Sequence, residues 1–184
     1  VQIMLIAGAP TPDVSFLQRT LSGDRFEVVS LVQKAPNQFY QSPPDADSLA
    51  VIDMFVLLDF PNAATPTAFR QRLEQSLQQK ARPLLFVPGS LIQSTLFAEL
   101  AEFTPVQTFA KRGAARPVLP DLSFQGASHP VLQIGDSPAA SRNLWQQLPP
   151  VFSSLAQIEL WPEATTLATA VPETGSGPTL PLIA

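Results

Sequence analysis

The sequence predicts a single α/β domain built on an open, mostly parallel sheet with helices on both faces. Three observations carry that expectation. Residues 2–8 (QIMLIAG), 53–59 (DMFVLLD) and 84–87 (LLFV) are apolar runs of the kind that a strand covered on both faces requires. Segments with apolar side chains at helical spacing lie between them. The resulting order, strand–helix–strand–strand–helix–strand–helix, is the rhythm of parallel strands joined by crossovers.

Each element has its own local reason. The first strand ends in Gly8-Ala9-Pro10, and Phe16, Leu17 and Leu21 mark a short helix capped near Thr11 or Asp13 and closed by Gly23. Residues 26–32 (FEVVSLV) read as a β-branched second strand, and residues 36–47, rich in Pro, Gln and Asn, as a loop. Thr65-Pro66 predicts an N-cap followed by proline at the first helical position. Phe69, Leu73 and Leu77 then form an apolar stripe, with Arg70, Arg72, Glu74, Gln78 and Gln79 on the wet side. After the strand at 84–87, residues 91–103 are expected to form a helix with Ser90 at its N-cap. From Thr104 prolines become frequent and helical periodicity fades. Strand-like pieces at 117–124, 158–161, 166–171 and 180–183, some antiparallel, are expected to complete the same sheet, with a short helix at 141–145.

Composition narrows the function classes. At 184 residues the chain fits one sizeable core; 45% of residues are hydrophobic and 14% charged, which excludes a disordered chain. A net charge of -4, with lysine only at 34, 80 and 111, argues against nucleic acid or an anionic membrane surface as partner. There is no cysteine, hence no disulfide, thiolate metal site or cysteine nucleophile. His129 is the only histidine, so a multi-histidine zinc site is excluded, and neither cofactor nor metal is expected. The start at Val1 and the stop inside an apolar run lead to the expectation of a segment excised from a larger protein, without membrane insertion of its own.

Three places are candidates for chemistry. The first is the crevice beyond the strand ends, where Asp59, Asn62 and Ser90 are candidate ligand-binding residues. Ser90 follows a strand through Pro88-Gly89, yet Val87, Pro88 and Leu91 do not make the G-x-S-x-G turn of a nucleophile elbow. The second is His129, a candidate base for Ser90 oriented by Asp59, Asp121 or Asp136. Before Pro130 its ring can equally serve only to bond the backbone. The third is a phosphate cradle, and this one is disfavoured: no glycine-rich phosphate motif occurs, and Pro10 and Pro12 remove amide donors where a phosphate would need them. Asp45, Asp47 and Asp53 read as a solvated loop rather than a cation site, and Trp145 and Trp161 as packing residues.

The order of IMLIAGAPTPDVSFLQRTL, DMFVLLDFP, RPLLFVPGS, SHPVL, NLWQQLPPVF and PEATTLATAV resembles the class I glutamine amidotransferase-like domain of large bacterial membrane proteins. In those proteins it accompanies von Willebrand factor A-type segments. The resemblance spans nearly the whole chain, and its most specific part is His129-Pro130, Asn143-x-Trp145 and Leu148-Pro149-Pro150. It implies a three-layer α/β/α, flavodoxin-like sandwich, with strands 53–59 and 84–87 as central neighbours. It also implies that the nucleophile position falls near Val87, where no cysteine stands, and Val131 replaces the family's glutamate after His-Pro. The resemblance thus leads to the expectation of a non-catalytic module. It would contact other domains of a membrane-anchored parent or a membrane complex, with the periplasmic side favoured. The alternatives are a serine hydrolase or amidase using Ser90 and His129, or a small-ligand sensor at the crevice.

Overall fold

The computed structural model describes residues 1–173 and 179–184, with the backbone alone at 111–113. The chain divides into two compact units, residues 1–104 and 105–184, each with its own sheet.

In the first unit the strands are β1 (Gln2–Ala7), β2 (Glu27–Ala35), β3 (Gln38–Phe39), β4 (Met54–Leu58) and β5 (Leu84–Val87). They lie in the order β3-β2-β1-β4-β5, and all pairings except β2 with β3 are parallel. The helices are α1 (Pro12–Leu21), α2 (Ala46–Ala50), α3 (Thr67–Gln79) and α4 (Ser94–Phe97). Because successive side chains of a strand point to opposite faces, the apolar runs feed two separate cores. Met4, Ile6, Leu31, Phe55 and Leu57 pack with Leu49 of α2 and with Phe69, Leu73 and Leu77 of α3. Ile3, Leu5, Ala7, Val32, Val56 and Leu58 pack with Val14, Leu17 and Leu21 of α1. Deleting a side chain as large as Phe55 from such a core costs about 3–5 kcal/mol.

The second unit has four antiparallel strands in the order β7-β6-β8-β9: β6 (Val106–Leu122), β7 (Val151–Leu160), β8 (Ala168–Pro172) and β9 (Leu180–Ile183). Two helices join them, α5 (Phe124–Ser128) and α6 (Pro138–Trp145). Leu122, Ala127, Leu132, Leu167 and Ala168 form its core, with Trp145, Leu182 and Ile183 against them. Pro117 and Pro120 both lie within β6. Pairing with β7 stops at Val118 and pairing with β8 starts there, so each proline has one flank where a missing N–H breaks no ladder bond.

Mixed α/β content and a mostly parallel sheet are therefore observed, and several finer expectations are corrected. The C-terminal strands do not complete the first sheet; they form one of their own. β5 neighbours β4 but lies at the sheet edge rather than at its centre. The expected helix at 91–103 is reduced to α4 and one 3-10 turn, Ala101–Phe103. Ile92 forms an extended bridge with Asn62, which keeps the chain out of helix until Gln93 caps α4, so Ser90 is not the cap. α3 begins one residue late, with Pro66 itself in the cap position. Arg70 is not on the wet side: it is buried, paired with Glu99 and bonded to Thr67. Phe16 is exposed, and Val14 takes its expected place in the core. The loop at 36–47 contains β3 and the start of α2.

Candidate functional site

The candidate crevice lies where β1, β4 and β5 end. Next to it Phe60 is fully buried and edge-on to Phe69, with ring centroids 6.1 Å apart. Asp59 follows β4 with φ 51°, a left-handed conformation that aspartate tolerates better than most residues. That turn aims its carboxylate at the segment after β5. Oδ1 accepts from the amides of Leu91 and Ile92 at 2.8 and 2.7 Å, and Oδ2 approaches the Leu91 amide at 3.1 Å. The Asp59 amide donates to Val87 O at 2.9 Å, so this one residue ties both ends of the turn to β4.

Asn62 is equally occupied. Its Nδ2 donates to Gly8 O at 2.8 Å, and its Oδ1 accepts from the Ala64 amide at 2.9 Å. Its own amide donates to Thr65 Oγ1 at 3.1 Å, and that hydroxyl donates to Gln33 Oε1 at 3.0 Å. Gln33, Asn62 and Thr65 are all buried, so the network satisfies polar groups that would otherwise be costly. The close fit explains two glycines. A Cβ on Gly8 would lie 2.0 Å from Asp59 O, and one on Gly89 would lie 2.5 Å from Asp59 Cγ.

Of the residues expected to bind a ligand, the structure brings Asp59 and Asn62 together, and both act as internal ties. Ser90 is exposed between Gly89 and Leu91 in the first unit. His129 belongs to the second unit, as the C-cap of α5. Its ring does bond the backbone: Nδ1 accepts from the Val131 amide, two residues on, at 3.3 Å. Among the described residues no carboxylate hydrogen-bonds His129, so neither Asp121 nor Asp136 orients it.

The remaining candidates have separate structural duties. Asp45 caps α2 by accepting from the Ser48 amide at 2.8 Å, and Asp53 accepts from the Gln2 amide at 2.9 Å. Among the described residues no three His, Asp or Glu side chains gather as they would around a metal ion. Trp145 donates from Nε1 to Leu132 O at 2.9 Å, anchoring α6 to the loop before it. No helix of the described residues is long and apolar enough to cross a membrane.

The contributors that sequence reasoning missed are the amides of Leu91 and Ile92, together with Gln33 and Thr65. Gly8 directly after β1 and Gly89 two residues past the end of β5 were the available signal, since such glycines mark close approach of backbone. Comparison with protein-family models, with curated proteins and with solved structures finds no match to this chain.

Proposed function

We propose that the chain is a non-catalytic α/β module of the glutamine amidotransferase-like type, acting in protein interaction within a membrane-anchored parent on the periplasmic side. On this reading the first unit is the three-layer α/β/α part. The observation that carries the proposal is the engagement of the Leu91 and Ile92 amides by Asp59. In acyl-transfer sites the amide just after the nucleophile helps to hold the developing oxyanion. Were Ser90 the nucleophile, as in the serine-hydrolase alternative, that amide would be Leu91's, and it faces a carboxylate that competes for the donor and repels an anion. The chain also has no cysteine on which a glutamyl thioester could form.

Two measurements test the two parts of the reading. A fluorophosphonate probe and an ammonia-release assay with L-glutamine are expected to give no labelling of Ser90 and no ammonia. Labelling that disappears in Ser90→Ala would return the serine hydrolase reading. Crosslinking of the parent in its own membrane, through the exposed Lys34 and Lys80, is expected to join this module to neighbouring protein. Crosslinks confined to the module itself would remove the interaction role.

A further inference from the structure

We draw no further inference here: the strongest candidate, the outward apolar face of the second unit's sheet around Pro117, Leu119 and Phe152, carries nothing because nothing in the structure shows what covers it.

Discussion

Asp59 and Ile92, 33 positions apart in sequence, are joined by a 2.7 Å hydrogen bond from a buried amide to a buried carboxylate. The same carboxylate holds the Leu91 amide. Removing it strands at least one donor inside the protein, and an orphaned buried donor costs about 1–3 kcal/mol. Asp59→Ala should lower unfolding stability by at least that much, because alanine also resists the positive φ found here. Asp59→Asn keeps an acceptor and tolerates the conformation, so its loss should be smaller. Urea denaturation of the two variants checks the order, and equal losses would refute the carboxylate's role as a tie.

The glycines provide a second, steric test. A Cβ at Gly8 would meet the backbone carbonyl of Asp59, whereas a Cβ at Gly23 meets nothing within 4 Å. Gly8→Ala should destabilise by roughly 1–3 kcal/mol through overpacking. Gly23→Ala should be neutral or stabilise by about 0.4–1 kcal/mol, through the lower entropy of its unfolded chain. Thermal unfolding of the pair distinguishes them, and similar shifts for both would contradict the close approach at Gly8.

The pairing of Arg70 with Glu99 predicts an asymmetry. The Arg70 side chain is 8% exposed and that of Glu99 39%. Glu99→Gln leaves the guanidinium buried without its counter-charge, though solvent reaches the carboxylate side, so the loss should be about 1–3 kcal/mol. Arg70→Met removes the buried charge together with its desolvation cost and should be milder. Chemical denaturation of the single variants decides the matter; a larger loss for Arg70→Met would mean that packing of the arginine, not its charge, matters at this position.

Asp45 supplies a pH signature. Hydrogen bonding from Ser48, through its side chain and then its amide, holds the carboxyl below the usual 3.8, with a smaller contribution from the positive charge of Arg72. A depressed folded value means that the stabilisation is fully present above the ordinary carboxylate range and is lost as pH falls through the folded one. Asp45→Asn retains a side-chain cap, so the gap between wild type and variant isolates the charge. That gap should narrow as pH falls below the ordinary value of 3.8 in urea titrations. A gap that stays constant over this range would exclude the ionised carboxylate as the cause.

Much of the first unit was legible because its signals are local. Runs such as MFVLL, the residues of β4, are apolar at every position, which only a strand covered on both faces tolerates. Phe69, Leu73 and Leu77 declared the buried side of α3 by their spacing alone. Arg70 was misread because periodicity cannot show that Glu99, 29 positions later, folds back to receive it. The helix expected after Ser90 failed for a similar reason: the Asn62–Ile92 bridge is a tertiary contact that overrides local preference. Of the strands after Thr104, β8 and β9 were visible, but β6 only from Pro117 and β7 only from Ile158; partner choice is non-local besides, and nothing in PVLPDL says that it pairs with β8 rather than with β5. At the site, an aspartate after a strand looks the same in sequence whether it awaits a ligand or ties down its own backbone.

The contiguity of the two units has a consequence during synthesis. All five strands of the mostly parallel sheet lie within residues 1–104, and none of them waits for a later strand. At roughly 5–20 residues per second on the ribosome, the remaining 80 residues take about 4–16 s to appear. β6 follows the first unit directly, but β7, β8 and β9 begin at Val151 or later, so the nascent N-terminal half has seconds to collapse and hide its apolar faces before those strands leave the exit tunnel.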